Sequence, residues 1–180
     1  MKPFDKKLPV VYLKPGELYI SDKPVAVSTV LGSCISITMY HRQLKLGAIC
    51  HGLLPKCKHT KKRGCHKTCR DLDKYVDCAF IHMKQQFLSY SMNQDEIEVK
   101  LFGGAEILLP HDHTKGIITV GEKNIKMATQ LIKSEGFKIM ASNTGGSTGR
   151  KLFFLPHTGD VYLKQLKKTE VIDLQKRRAG

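Results

Sequence analysis

Val25-Ala26-Val27-Ser28-Thr29-Val30-Leu31-Gly32-Ser33-Cys34-Ile35-Ser36-Ile37-Thr38-Met39-Tyr40 carries two strands in succession. The first seven residues are a largely apolar, β-branched run. Gly32-Ser33 then supplies small residues for a tight turn. After it, Ile35, Ile37 and Met39 alternate with Ser36, Thr38 and Tyr40, the period-2 pattern of a strand with one buried face. No helix separates the two. Further outward, residues 46–51 form another short strand candidate closed by Gly52. Residues 97–102 alternate again and end at Gly103-Gly104. Residues 117–120, 138–142, 151–155 and 161–166 are further strand candidates, with a turn at His157-Thr158-Gly159-Asp160 joining the last two.

Two segments switch to helical spacing. In residues 72–90, Leu72, Val76, Ala79, Phe80, Met83 and Phe87 share one face, with Asp71 as the expected N-cap. In residues 123–135, Ile125, Ala128, Leu131 and Ile132 do the same, with Gly136 as the C-terminal stop. Strands outnumber helices and are not separated by them one by one. The expected class is therefore α+β, with mixed β-sheets flanked by helices, rather than a doubly wound parallel fold.

The chain has 180 residues, 41% of them apolar and 26% charged, enough for a full core in a single domain. The start lacks the apolar stretch of a secretory signal, and no apolar run approaches the roughly 20 residues of a membrane span. A cytoplasmic location, without membrane insertion, is the expectation. There the six cysteines stay reduced. The net charge of +14 is high and concentrates in two places. One is an insert at about 56–70, with Lys58, Lys61, Lys62, Arg63, Lys67 and Arg70. The other is a basic C-terminal tail with Lys164, Lys167, Lys168, Lys176, Arg177 and Arg178. Such a field attracts nucleic acid, anionic membrane or an acidic protein. No aromatic residue interleaves with the insert's basic residues, which argues against base stacking and hence against a nucleic-acid partner.

Cys34 and His51 are the chemical candidates. A cysteine thiol is intrinsically nucleophilic, and a nearby imidazole can take its proton and return it to a leaving group. Gly32 and Ser33 allow the turn before Cys34 to aim backbone N–H groups at a developing oxyanion. If His51 faces the site, Cys50 faces the core. Ser28 and Thr29 are the candidates to orient the imidazole, since no acidic residue lies close by in sequence. On spacing alone a buried structural cysteine and a satisfied strand histidine are the favoured reading, because unlinked Cys and His residues are common.

Five blocks together carry a resemblance to a known family. They are Thr29-Val30-Leu31-Gly32-Ser33-Cys34, His51-Gly52-Leu53-Leu54-Pro55, Lys100-Leu101-Phe102-Gly103-Gly104-Ala105, Gly121-Glu122-Lys123-Asn124 and Gly145-Gly146-Ser147-Thr148-Gly149-Arg150-Lys151. In this order they resemble CheD, the chemoreceptor glutamine deamidases. The resemblance implies a fold related to the catalytic domain of cytotoxic necrotizing factor. It implies hydrolysis of glutamine carboxamides on methyl-accepting chemotaxis receptors through a Cys34 thioester, with no cofactor required. It also implies a CheC-type phosphatase as a regulatory partner. The family's third catalytic residue is a threonine six positions before the cysteine, where this chain has Ser28 with Thr29 beside it. Gly32, Ser33, Gly103 and Gly104 are the candidate substrate-loop residues, and Arg150 can pair with a carboxylate, either internal, the favoured option, or on the substrate. A non-catalytic adaptor for receptors or the phosphatase is the alternative.

The insert departs from the family pattern. Cys57, Cys65 and Cys69, with either His59 or His66, offer soft ligands at short spacing for zinc or iron. Neither cysteine spacing is the Cys-x-x-Cys knuckle. A redox pair of Cys65 and Cys69 and a basic loop with incidental thiols are the other readings. Cys78 reads as core, and His111-Asp112-His113 as an exposed loop.

Overall fold

In the computed structural model, residues 7–58, 72–106 and 118–166 are described. Nine strands and two helices follow in chain order among them. The strands are β1 (Val10–Tyr12), β2 (Leu18–Ser21), β3 (Ala26–Leu31), β4 (Ile35–His41), β5 (Leu46–Cys50), β6 (Ile97–Gly103), β7 (Ile139–Thr144), β8 (Gly149–Leu155) and β9 (Asp160–Leu166). The helices are α1 (Val76–Leu88) and α2 (Val120–Ser134). One sheet has the order β1-β3-β8-β9 and the other β2-β5-β4-β6-β7. Parallel pairs, β1 with β3 and β6 with β7, sit among antiparallel ones, so both sheets are mixed.

Three layers result. Ile35, Ile37 and Met39 of β4, with Ala48 and Cys50 of β5 and Val99 and Leu101 of β6, meet Phe80, Met83 and Phe87 of α1 and Ala128 and Ile132 of α2. Burying Phe80 and Phe87 contributes about 1.5–3 kcal/mol each. The opposite face of the same sheet packs on the four-stranded sheet. There Ile49 meets Val27, Phe154 and Leu13, and Phe102 meets Leu31 and Leu152. The expected half-buried β4 is thus buried on both faces. Ser36 and Thr38 do not face water; they are small enough to lie between two sheets about 10 Å apart.

Helix boundaries shift for local reasons. α1 begins at Val76 with Tyr75 as an N-cap that makes no side-chain cap bond; a single turn of tighter helix, Leu72–Lys74, precedes it. Asp71, the expected cap, lies outside the described residues. α2 begins three residues earlier than the apolar pattern suggests. Thr119 accepts from the Glu122 N–H, and the Glu122 carboxylate accepts from the Thr119 N–H, closing a capping box. The expected strand at 117–120 is corrected by that box: Thr119 is the cap and Val120 is the first helical residue.

Candidate active site

The small-residue turn before β4 is pinned at three successive carbonyls. Ala105 N–H donates to Gly32 O at 2.8 Å, and Gly104 N–H donates to Cys34 O at 2.8 Å. Between them, Asn124 Nδ2 donates to Ser33 O at 3.0 Å. The first two donors follow β6 and the third stands on α2. Gly103, at φ +108°, makes this approach possible, because a Cβ there would overlap the Cys34 carbonyl oxygen. In a planar trans peptide the N–H points opposite to its C=O. Tying the carbonyls of Gly32 and Ser33 inward therefore turns the N–H groups of Ser33 and Cys34 away from those donors.

His51 follows β5 directly. Its backbone is held from one side by Gly16 N–H donating to its oxygen at 2.8 Å and by its own N–H donating to Glu17 O at 2.9 Å. On the other side Ile35 and Gly52 exchange both backbone hydrogen bonds, at 2.9 and 2.8 Å, in the register that pairs Thr38 with Ile49. That register sets His51 opposite Ser36. Cys34 lies two residues before Ser36 on the same face, so Cys34 and His51 are diagonal neighbours, roughly 7–8 Å apart at Cα. Both look toward the four-stranded sheet. Cys34 packs there against Leu31, Phe102 and Leu152, while Cys50 turns the other way into the helix-facing core.

The four-stranded sheet supplies the partner for the imidazole. Thr29 Oγ1 lies 2.7 Å from His51 Nδ1 and donates to Leu13 O at 3.0 Å. A hydroxyl has one hydrogen. With it committed to Leu13, Nδ1 is the donor to Thr29, and the lone pair of the ring sits on Nε2. Nε2 is buried and has no hydrogen-bond partner. Thr29 is fully buried and His51 is 2% exposed. Thr29, rather than Ser28, thus meets the ring, since neighbouring positions on β3 point to opposite faces.

Burial governs the charges. It pushes the Cys34 thiol up to about 11, its own backbone N–H pulling slightly the other way. It pulls His51 down to about 4. The resting pair is a neutral thiol and a neutral imidazole with its base nitrogen free. In this resting arrangement Nε2 makes no hydrogen bond to the Cys34 thiol.

Asn124 is the residue that sequence reasoning passed over. It is 0% exposed, and its Nδ2 also donates to Leu53 O at 3.0 Å. It was visible only as the last letter of Gly121-Glu122-Lys123-Asn124. Among the described residues Arg150 has no carboxylate partner. It donates to Asn143 Oδ1 at 2.6 Å and to the carbonyls of Gly145 and Thr148, stapling the Gly145-Gly146 loop. Gly145 N–H in turn donates to Gly103 O at 2.9 Å. A surface hollow of about 540 Å³, lined by His41, Arg42, Glu96, Phe137 and Met140, lies at the far end of β4 from Cys34.

Of the candidate metal ligands, only Cys57 lies within the described residues; Cys65, Cys69, His59 and His66 lie outside them, as do His111, Asp112 and His113. Cys57 is buried, and its N–H donates to the Asp77 carboxylate at 3.1 Å, which also accepts from the Cys78 N–H at 2.8 Å. Among the described residues no three His, Cys, Asp or Glu side chains gather as a metal site. Nor is any described helix long and apolar enough to cross a membrane.

Comparison with known proteins points to one family. The family model described as CheD, chemotactic sensory transduction, matches residues 53–165. The chain is 43% identical over 164 residues to a probable chemoreceptor glutamine deamidase CheD 2 of Geobacter sulfurreducens, spanning 91% of this chain and 94% of that one. It is 35% identical to a probable chemoreceptor glutamine deamidase CheD of Maridesulfovibrio salexigens, over 88% of this chain and 92% of the relative. A similarly named protein of Oleidesulfovibrio alaskensis is 35% identical over 90% of this chain and 75% of its own length. The likeness to a solved structure is slight: a Neisseria meningitidis protein of the DUF152 family matches with a TM-score of 0.39 and 14% identity, over 78% of this chain and 64% of that chain.

Proposed function

The chain belongs to the CheD family, and on that footing we propose that it hydrolyses glutamine side chains on chemoreceptors to glutamate, with Cys34 as nucleophile and His51 as base. The observation that carries the residue assignment is the Thr29 contact to Nδ1, which leaves Nε2 unpartnered and buried. As the carboxamide enters, Nε2 takes the thiol proton and sulfur attacks the carbonyl carbon. The tetrahedral oxyanion forms against the outward N–H groups of Ser33 and Cys34. It collapses with transfer of the proton from His51 to nitrogen, and ammonia leaves. Water, deprotonated by Nε2, then attacks the thioester; sulfur is expelled, reprotonated by His51, and glutamate is released.

The test is ammonia release from a receptor cytoplasmic fragment by wild type beside Cys34→Ala, with each Gln-to-Glu change mapped by mass spectrometry. Release that vanishes in the variant supports the assignment. Release that persists removes Cys34 from the mechanism. The adaptor reading rests on one observation, the upward push that burial gives the Cys34 thiol. Receptor binding without release by wild type would favour it.

The same proposal includes a cytoplasmic setting, no nucleic-acid partner and competition by a CheC-type phosphatase for the deamidase. A pull-down of the phosphatase from a mixture with receptor fragment tests the last. Zinc or iron on Cys57, Cys65, Cys69 and His66 is a separate proposal for the insert. Elemental analysis of untagged protein decides it, and less than a stoichiometric amount of either metal ends it.

A further inference from the structure

We propose that Asn124 is a positioning residue for the deamidation: by holding the carbonyl of Ser33 it aims the N–H of Cys34 at the oxyanion. This rests on the deamidase reading above. Both amide hydrogens of Asn124 are spent on carbonyls, Ser33 O and Leu53 O, each at 3.0 Å. One carbonyl immediately precedes the nucleophile and the other lies two residues after the base. A single side chain on α2 thus adds a second tie between two segments that the Ile35–Gly52 pair already joins. Two carbonyl acceptors leave only one orientation for the amide, since its oxygen would repel both. Oδ1 is buried and unpartnered. An apolar side chain of similar size would avoid that cost, about 1–3 kcal/mol for an unsatisfied buried polar atom, but would take the donors from the Ser33 and Leu53 carbonyls. Retaining an asparagine there makes sense if the donors do something packing cannot.

The geometry says what that is. The Ser33–Cys34 peptide is planar, so the direction of its C=O sets the direction of its N–H. Gly32 and Cys34 are pinned by backbone donors, which no substitution of their side chains removes. The middle carbonyl alone depends on a side chain. Releasing it lets the peptide rotate and the Cys34 N–H swing away from the developing charge. Ground-state binding of the receptor does not use that N–H, so the loss should fall on kcat.

The experiment compares wild type, Asn124→Asp, Asn124→Ala and Ile132→Val in steady-state deamidation of a receptor cytoplasmic fragment. Melting temperatures identify folded protein. Asn124→Asp keeps the shape but replaces the two donors with acceptors. Ile132→Val trims the α2 core away from the site. Loss of one oxyanion donor costs roughly 10²–10³ in kcat. The expected result is a fall in kcat of that order in both Asn124 variants, with KM within about twofold and Ile132→Val unchanged in kcat per folded molecule. A fall explained by the unfolded fraction alone, or a loss confined to KM, overturns the inference. If Asn124→Asp does not fold, the same split in Asn124→Ala decides. A wild type without activity would instead overturn the deamidase reading.

Discussion

Replacing Thr29 by Val keeps the side chain's shape and removes its only polar atom. The His51 Nδ1–H then loses its hydroxyl acceptor and the Leu13 carbonyl its hydroxyl donor, an expected loss of about 1–3 kcal/mol. Because the imidazole is free to take the other tautomer, kcat should fall roughly 10–100-fold. Thr29→Ser should restore most of it, and melting curves with steady-state kinetics check both. A second expectation concerns pH. Burial pulls His51 to about 4, so kcat/KM should hold from pH 7 to 6 and fall only below about pH 5, whereas an unperturbed histidine would already cost half the activity near 6.5. Stability follows the same group. Its folded value lies below the unfolded one, so the contribution is present above about pH 6.5 and is lost as pH falls toward 4. Urea denaturation of wild type and His51→Gln should therefore converge as the pH is lowered across that window. At this scale Cys34 and His51 were legible as residue types at a suggestive spacing, and Ser28 and Thr29 as a pair of candidates. Choosing between those two needed the facing of β3 relative to a second sheet, which no local pattern encodes.

The elements that hold the site were legible in kind and less so in boundary. Alternation found β4 and β6, and the apolar stripes found both helices. Alternation also misread β4 as half-exposed, because Ser36 and Thr38 are polar enough to suggest water and small enough to pack between sheets. β1 and β2 went unseen, being only 3 and 4 residues long with Pro9, Pro15 and Gly16 around them. The α2 start was missed because a capping box, rather than an apolar residue, defines it. The Gly103-Gly104 ending of β6 combines a close backbone approach with a left-handed backbone. Gly103→Ala should cost about 3 kcal/mol, from the strained φ and the overlap with Cys34 O, and so lower Tm by roughly 6–12 °C. Deamidation per folded molecule should fall as well, since the alanine displaces the nucleophile's own peptide. Calorimetry and ammonia release on the same sample check the two effects.

For the molecule as a whole, the charge of +14 bears on encounter more than on fold. If the receptor segment approached is acidic, raising salt from about 0.05 to 0.5 M shortens the screening length to a few ångströms and should slow association several-fold, with dissociation little changed. Surface plasmon resonance on an immobilised receptor fragment checks it, and a salt-independent on-rate would assign the charge no part in docking. Which receptors and which glutamines are chosen is not written in the single-chain pattern, because selection depends on a surface the partner supplies. One feature of the site also orders events during synthesis. Asn124 comes 91 residues after the Ser33 carbonyl it holds, and Gly104 and Ala105 come well after His51. A chain still on the ribosome has made its thiol and its imidazole long before it has made the clamps that set them to work. On the proposed mechanism, activity would therefore wait for the second half of the polypeptide, and a fragment ending before α2 would be silent.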